Sequence, residues 1–355
     1  MRKLTALAAL LALLLTGCGL GEHPLGTTAA TTVPETTLSA SGETLSVHFI
    51  DVGQADCALL ECGGEYMLID GGNVEDGSLV VSFLEKQGVE ELSAVVCTHA
   101  HEDHVGGLPA VLAVYPTGSV YAPTRTYSSN CFDDFMYYVD QQGLTVNIPA
   151  PGDSFALGEA TVTVLGPTKS YADTNNTSIV LMVQFGATRF LFTGDMEKSA
   201  ETDMLDYWGD SYDWNIDVLK VGHHGSDTST GYRLLYALDP EYAVISVGEG
   251  NSYGHPCQET LDLLSDAGVP VFRTDKLGTV LAVSDGQEIT ITWEDQNAIP
   301  ENVEQADTTY IGNTNSKKFH LPTCGSLPGE NNRIVFESYE DAIEAGYTPC
   351  SRCLG

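Results

Sequence analysis

Three histidines and two acidic residues are concentrated in the six-residue run His99-Ala-His-Glu-Asp-His104, directly after an apolar stretch. Alternate residues of an extended segment project to one side, so His99 and His101 can share one metal ion, and a following turn can bring Asp103 and His104 to a second. Imidazole and carboxylate groups suit zinc, manganese or iron. The run therefore predicts a metal centre at the end of a strand, because so many ligands together rarely serve a purely structural purpose.

Short apolar runs recur from Leu45 onward, mostly β-branched or aromatic and bounded by Gly, Asp or Asn. This pattern is typical of strands, which are predicted at 46–50, 58–60, 66–69, 94–97, 161–165, 179–183, 189–192, 217–221, 242–246, 271–272 and 279–282. Helical patterns lie between them, at about 80–87, 108–114, 132–142, 199–208, 232–238 and 257–267. The alternation predicts an α/β fold, and two such halves packed sheet to sheet with helices outside would form four layers.

The N-terminus has the features of a secretory signal. Two basic residues are followed by an apolar run at 4–15, which is too short to span a bilayer comfortably, and then by Thr16-Gly17-Cys18. The small residues before Cys18 resemble the lipobox of bacterial lipoproteins, in which the cysteine is lipid-modified. We therefore predict a signal peptide and lipobox at 1–18 and a Thr/Pro/Ser-rich linker at 19–43. The alternative is an ordinary signal peptide and a secreted chain.

These features imply a protein tethered by a lipid anchor to the extracellular face of a bacterial membrane. No transmembrane helix is expected in the mature chain. The linker cannot build a core, because it has almost no large apolar residue.

The charge of the chain limits its partners. A net charge of −34 argues against broad, non-specific binding of nucleic acid, which requires a basic footprint. Any anionic substrate must therefore be held locally, by metal ions or by a few basic residues. Residues 44–295 have 9 basic and 38 acidic residues, a net charge of −29, whereas residues 308–355 have 4 and 5, a net charge of −1.

The histidine-rich run resembles the motif of the metallo-β-lactamase superfamily, His-x-His-x-Asp-His after a strand. Within that superfamily the chain is most similar to the extracellular hydrolase domain of ComEC, the competence DNA-uptake channel protein. The stretches that carry this resemblance are 49–56, 68–72, 175–178, 192–195, 219–226 and 246–256. The resemblance implies a four-layer αββα sandwich over residues 44–295, without the channel part.

The resemblance also implies two divalent metal ions, zinc or manganese. It implies that His99 and His101 bind the first ion and that Asp103 and His104 bind the second. Asp195 would bridge both ions, and either His223 or His224 would complete the second site. Asp103 and Asp195 are also its candidate catalytic carboxylates.

One departure from the family pattern concerns Asn175 and Asn176, where many members have a histidine. The first site is therefore expected to lack its third imidazole, which makes a harder ion such as manganese an alternative to zinc. Asn176, Ser226 and Asn251 are candidate first-site or substrate contacts.

Four further residues are singled out near these motifs. Asp70 is expected to orient a ligand or form a turn rather than to bind metal itself. His255 is interpreted as a catalytic residue in substrate contact or proton transfer, with a structural role as the alternative. Gln54 and Asp56 either line the cleft or cap it.

Two ions of this kind lower the pKa of a water molecule and clamp both oxygens of an in-line displacement, so the expected reaction is hydrolysis. The preferred substrate is a phosphodiester, and DNA is the leading candidate, which would make the chain an extracellular nuclease in competence-type DNA processing. One alternative is hydrolysis of another phosphoester or an ester at the cell envelope. The other is a DNA-binding protein with a vestigial metal site.

A second metal pattern lies at the C-terminus, after a polar linker at 296–307. His320 and Cys324 are separated by three residues, and Cys350 and Cys353 by two. One imidazole and three thiolates suit a closed, structural zinc site, and a module this small requires such a staple to fold. Residues 308–355 resemble the zinc-binding domain of the Ada DNA-repair protein, although His320 stands where Ada has a cysteine.

The near-neutral charge of this C-terminal module makes it the predicted folded part best able to approach a polyanion. Lys317, Lys318 and Arg352 are candidate phosphate contacts. We therefore interpret the module as binding one zinc ion and helping to deliver DNA to the cleft. A purely structural or protein-docking module is the alternative.

Overall fold

The computed structural model describes residues 42–295, 298, 300–301, 309–322, 324–336 and 339–354. The predicted signal peptide at 1–18 with Cys18, nearly all of the linker at 19–43 and most of the linker at 296–307 lie outside the described residues. Within the described ranges, no helix is both long enough and apolar enough to cross a membrane.

The strands of residues 42–301 form two sheets. In chain order they are β1 (Leu45–Phe49), β2 (Ala58–Cys62), β3 (Glu65–Ile69), β4 (Leu92–Val96), β5 (Thr117–Tyr121), β6 (Val146–Asn147), β7 (Ser154–Leu157), β8 (Ala160–Gly166), β9 (Val180–Phe185), β10 (Thr188–Phe192), β11 (Val218–Lys220), β12 (Tyr242–Ile245), β13 (Val271–Arg273), β14 (Val280–Ser284) and β15 (Ile289–Trp293). The first sheet has the order β15-β14-β1-β2-β3-β4-β5-β6, and the second has the order β13-β12-β11-β10-β9-β8-β7.

The helices of this region are α1 (Gly77–Lys86), α2 (Glu102–Val105), α3 (Leu108–Val114), α4 (Asn130–Gln141), α5 (Lys198–Trp208), α6 (Tyr232–Leu238), α7 (Gln258–Asp266) and α8 (Thr274–Leu277). Those predicted from the sequence at 108–114 and 232–238 agree with the structure to the residue. The strands β5, β6, β7 and β15 were not predicted. β5 is interrupted by Gly118, which weakens its strand pattern. β15 alternates apolar and polar residues as a half-buried strand does, so its signal was present in the sequence and was missed.

Three buried clusters define the layers. The largest lies between the two sheets, where Phe49 and Met67 of the first meet Phe185 and Phe190 of the second. A second packs α1, α3 and α4 on the outer face of the first sheet, and a third packs α5, α6 and α7 on the outer face of the second. The predicted four-layer αββα sandwich is therefore confirmed.

A small module with its own sheet follows. Its elements are β16 (Tyr310–Asn313), β17 (Lys318–His320), β18 (Arg333–Phe336), α9 (Tyr339–Glu344) and β19 (Thr348–Pro349), and the sheet order is β18-β16-β17-β19. Its core is compact and largely aromatic, built on Phe319 with Tyr310, Phe336 and Tyr347 around it. Tyr310 also contacts Tyr232 of α6, with 3.3 Å between the two hydroxyl oxygens.

Candidate dinuclear metal centre

The predicted ligands lie on loops that leave the C-terminal ends of parallel strands. β3 and β4 are parallel in the first sheet, and β10, β11 and β12 are parallel in the second. The loop after β4 carries the histidine-rich run, the loop after β10 carries Asp195, and the loop after β11 carries His223 and His224. The two sheets face each other, so these loops meet at one end of the sandwich, as expected for ligand sites of α/β folds.

Asp195 lies at the centre of the cluster and is 2% exposed. Its Oδ2 is 3.8 Å from Nε2 of His99 and 3.6 Å from Nε2 of His223. Its Oδ1 is 3.3 Å from Nε2 of His104 and 3.8 Å from Nε2 of His224. The two oxygens of one carboxylate therefore face two different pairs of imidazoles, which is the arrangement a bridging ligand needs.

His101 and Asp103 extend these two groups. Nδ1 of His101 is 3.0 Å from Nε2 of His99, on the Oδ2 side. On the Oδ1 side, Oδ2 of Asp103 is 3.3 Å from Nε2 of His224 and 4.0 Å from Nε2 of His104. The ligand atoms of Asp103, His104, Asp195 and His224 all lie within 4.8 Å of one another.

The structure separates the two adjacent histidines that the sequence leaves as alternatives. His223 and His224 have φ values of 50° and 53°, in the left-handed region that residues other than glycine rarely adopt. Two such residues in succession turn the backbone sharply, and the two imidazoles point to different oxygens of Asp195. His224 joins the second group, and His223 joins the first, where Asn176 was expected to leave an imidazole missing.

Asp70 lies beneath the cluster and orients His104. Its Oδ2 is 2.8 Å from Nδ1 of His104, and its two oxygens accept hydrogen bonds from the backbone N–H and the hydroxyl of Thr98, each at 2.7 Å. A carboxylate on one ring nitrogen fixes the tautomer and aims the other nitrogen at the metal. Asp70 also has a φ of 57°, so it forms the turn after β3 as well.

A backbone carbonyl orients His224, and a buried ion pair lies next to the same ring nitrogen. Nδ1 of His224 is 3.0 Å from the carbonyl oxygen of Ser246. Oδ1 of Asp56 is 3.2 Å from Nδ1 of His224, and Oδ2 of Asp56 is 2.7 Å from Nζ of Lys220. Lys220 also donates to the carbonyl of Val221 at 3.0 Å. Asp56 therefore lies behind the ligands rather than in the cleft, and it connects the loop after β1 to the end of β11.

The residues present fit a pair of divalent ions. Within the described residues, Oδ1 of Asp195 and Nε2 of His104 are buried without a hydrogen-bond partner, although they face each other. Burial by itself would lower the pKa of His224, but Asp195 and Asp56 raise it to about 10. Burial would likewise lower the pKa of His104, and Asp195 and Asp70 raise it well above its usual range. The cluster thus has a strong excess of negative potential at the point where its unpartnered atoms converge, which favours bound cations.

The side chains of the candidate substrate contacts lie beside the centre, and their hydrogen bonds stabilise the surrounding loops. The side-chain amide of Asn176 donates to Oε2 of Glu197 at 3.3 Å and accepts from the Glu197 backbone N–H at 3.1 Å. Oγ of Ser226 contacts Oγ1 of Thr228 at 3.0 Å and accepts from its backbone N–H. Gln54 accepts from the backbone N–H of Gly248 at 3.1 Å, so it closes a neighbouring loop.

Asn251 organises the loop that carries His255. Its Oδ1 accepts from the backbone N–H groups of Tyr253 and His255, each at 3.1 Å. Its Nδ2 donates to the carbonyls of Gly248 and His255 at 3.0 and 2.6 Å. These bonds use both donors and both acceptor positions of the amide. His255 itself is half-buried, its ring centroid is 5.6 Å from that of His223, and its Nδ1 has no partner among the described residues.

The four predicted zinc ligands of the C-terminal module also come together. The ligand atoms of His320, Cys324, Cys350 and Cys353 lie within 4.8 Å of one another. Although burial raises it, hydrogen bonds from Ser326 and His320 lower the pKa of Cys324 to about 6. A thiol of this kind is ionised near neutral pH and ready to bind metal. The set of one imidazole and three thiolates fits a structural zinc ion.

Two residues of the centre were missed in the sequence. Lys220 ends an otherwise apolar strand, and a lysine there in so acidic a chain was a signal that it has a buried partner. Glu197 had no such signal, because its contacts to Asn176 and to the ring of His223, with 3.9 Å between Oε1 and Nδ1, depend on the tertiary fold.

Fold and site together define a metallo-hydrolase with a separate zinc-binding module. Residues 50–249 match the family model described as the metallo-beta-lactamase superfamily, and residues 295–354 match the one described as the metal binding domain of Ada. Since the first match covers more than half of the 355 residues, the chain belongs to the metallo-β-lactamase superfamily.

Several curated relatives resemble the hydrolase region. The protein is 30% identical over 262 residues to ComE operon protein 3 of Bacillus subtilis, covering 68% of this chain and 33% of that protein. It is 30% identical over 236 residues to competence protein ComA of Neisseria gonorrhoeae, covering 65% and 31%. It is 30% identical over 234 residues to recombination protein 2 of Haemophilus influenzae, covering 63% and 27%. The chain thus spans a third or less of the length of these relatives.

Proposed function

We propose that this chain is a metal-dependent phosphodiesterase that hydrolyses DNA at the outer face of a bacterial membrane. The observation that carries the proposal is the division of six ligands between the two oxygens of Asp195. His99, His101 and His223 lie with Oδ2, and the remaining three lie with Oδ1: Asp103, His104 and His224. Relatives whose names refer to competence and recombination support DNA as the substrate.

The residues of the centre would hold the two metal ions and fix the orientation of the ligands, and the ions would supply the reactive chemistry. Two divalent ions, zinc or manganese, would lower the pKa of a water molecule and neutralise the phosphate during in-line displacement. Asp70 and the carbonyl of Ser246 keep Nε2 of His104 and His224 aimed inward, so the ligand geometry is set before substrate arrives. We assign to His255, whose ring centroid is 5.6 Å from that of His223, the proton that the leaving oxygen requires.

The acidity of the chain favours a mode of binding in which the substrate is held mainly by the metal ions. A net charge of −34 repels DNA over most of the chain, so affinity must come from short-range contacts. The C-terminal module, at −1, offers Lys318 and Arg352 as exposed cations, while Nζ of Lys317 lies 4.5 Å from the ring centre of Tyr347. We propose that this module binds one zinc ion and helps to present DNA to the cleft.

The proposed location rests on Cys18 and the small residues before it. Mass spectrometry of protein extracted from membranes should show an acylated N-terminal cysteine, and Cys18→Ser should move the protein from the membrane fraction to the medium. Recovery of the wild-type chain only from the cytoplasm would contradict this location.

The activity is tested with the full chain loaded with zinc or manganese. Single-stranded and duplex oligonucleotides and bis(p-nitrophenyl) phosphate serve as substrates, with bound metal measured in parallel. Asp195→Asn should lower the rate by at least about a hundredfold, the scale on which loss of one group that stabilises the transition state acts. The reason is that an amide offers one oxygen and cannot bridge. Asp134→Asn, the same change at an exposed position of α4, is the matched control and should leave the rate unchanged.

The alternatives give different results. Cleavage of small phosphoesters or esters without cleavage of any DNA would indicate an envelope hydrolase. DNA binding without turnover under zinc, manganese, cobalt or magnesium would indicate a vestigial centre. Retention of most of the rate in Asp195→Asn would refute the bridging role.

A further inference from the structure

A line of three rings leads from solvent to the metal centre. Tyr253 is 71% exposed, its ring stacks on the imidazole of His255 with 5.8 Å between centroids and 24° between planes, and His255 meets the edge of His223 at 5.6 Å. Nε2 of His223 is 3.6 Å from Asp195. The exposed ring at the end of this line takes no part in the chemistry proposed above.

The loop that carries Tyr253 is held firmly. Asn251 makes four hydrogen bonds within it, and the backbone N–H of Cys257 donates to the carbonyl of Gly225 at 2.8 Å, next to the two histidines. An exposed aromatic ring forgoes the stabilisation that burial would give it. On a loop held by hydrogen bonds, the ring offers a flat, preorganised face to a ligand.

We propose that Tyr253 is a stacking platform for an unpaired nucleobase next to the scissile phosphodiester. Charge favours a base as the occupant: a chain at −34 gains little from extended phosphate contacts, whereas the face of a base is uncharged and stacks on aromatic rings whatever its identity. Bases in duplex DNA are already stacked on each other, so the platform selects single-stranded substrates or frayed ends. This inference rests on the proposed DNA hydrolysis and specifies its substrate.

The kinetic test compares Tyr253→Ala, Tyr253→Phe and wild type on two single-stranded oligonucleotides. One is complete, and the other has a tetrahydrofuran abasic residue beside the cleaved linkage. Tyr253→Ala should raise KM about tenfold on the complete strand, which corresponds to 1.4 kcal/mol, with kcat nearly unchanged. On the abasic strand the wild type should already show the higher KM, and Tyr253→Ala should add nothing. Tyr253→Phe should behave as wild type, and Tyr137→Ala, at a 56% exposed tyrosine of α4, is the matched control.

A binding readout separates this inference from the proposed function. A phosphorothioate-linked strand with 2-aminopurine at the same position should lose fluorescence on binding to the metal-loaded chain, because stacking quenches that base. Quenching should disappear in Tyr253→Ala and persist in Tyr137→Ala. If DNA is cleaved but Tyr253→Ala changes neither KM nor quenching, or affects the abasic strand equally, the platform is refuted while the nuclease function stands. If no DNA is cleaved, the proposed function fails, and the platform then stands or falls on quenching alone.

Discussion

Lys220→Met tests whether the ion pair beneath His224 supports the centre through its charge. Lys220 and Asp56 are 4% and 5% exposed, their charged atoms are 2.7 Å apart, and the pair joins segments 164 residues apart in sequence. Burial raises the pKa of Asp56, but the ammonium of Lys220 and then His224 hold it well below its usual range. Removal of the lysine therefore leaves a buried carboxylate with much less compensation.

The expected decrease in the free energy of unfolding is large for a single substitution. Breaking a buried pair by removing one partner costs about 3–5 kcal/mol. In a domain of this size each kcal/mol lowers Tm by roughly 2–4 °C, so Tm should fall by about 6–20 °C. Methionine keeps the volume and the flexible apolar stem, so the change isolates charge from packing.

Urea unfolding of the metal-free chain, followed by tryptophan fluorescence, measures this loss. All three tryptophans lie before residue 296, so the signal reports on the sandwich and not on the zinc module. The matched control is Lys169→Met. Lys169 is 61% exposed and pairs with Asp203, so its loss should cost less than about 1 kcal/mol. If Lys220→Met is no more destabilising than Lys169→Met, the electrostatic account of this pair is wrong.

Three further predictions follow from other parts of the chain. His255→Ala should lower kcat strongly with metal content unchanged; a fall in bound metal would make His255 a ligand instead. Cys350→Ser should remove one zinc ion from three bound metals and increase amide hydrogen exchange across 309–354, with cleavage of short oligonucleotides preserved. Burial raises the pKa of Glu201 to about 7, despite hydrogen bonds from Gly231 and Thr230. The unfolded chain ionises first, so the free energy of unfolding should decrease by up to about 3 kcal/mol as pH rises from about 4.5 to about 7. Glu201→Gln should flatten this slope in urea titrations.

The sequence indicated that two groups of candidate ligands follow strands, and the resemblance to the superfamily supplied their assignment to metal sites. The run from His99 to His104 follows β4 of the first sheet and Asp195 follows β10 of the second, and the face-to-face packing of the two sheets brings the two loops together. The division of His223 from His224 could not be read in this way, because it depends on two left-handed backbone conformations that no local preference favours.

Contacts across the two sheets were equally beyond sequence reasoning. Asp56 and Lys220 belong to different halves of the sandwich, and only the tertiary fold shows that their ion pair lies behind His224. The amide of Asn176 illustrates the opposite case. Its identity suggested a weakened first site, yet the structure turns it toward Glu197 and brings His223 to Asp195 instead.

The strong acidity of the chain has a consequence for how any DNA is recognised. Proteins that hold DNA through 6–10 phosphate contacts lose about 10³–10⁵ in affinity between 50 and 200 mM salt, because each contact releases counterions. Here the proposed contacts are the metal centre, one stacked base and the few cations of the C-terminal module, while the surface at −34 repels the rest of the strand. Salt screens that repulsion as well as the few attractive contacts, so its two effects on KM oppose each other. KM for a short single strand should therefore change little over this range, and a steep rise with salt would reveal a basic track that the described surface does not explain.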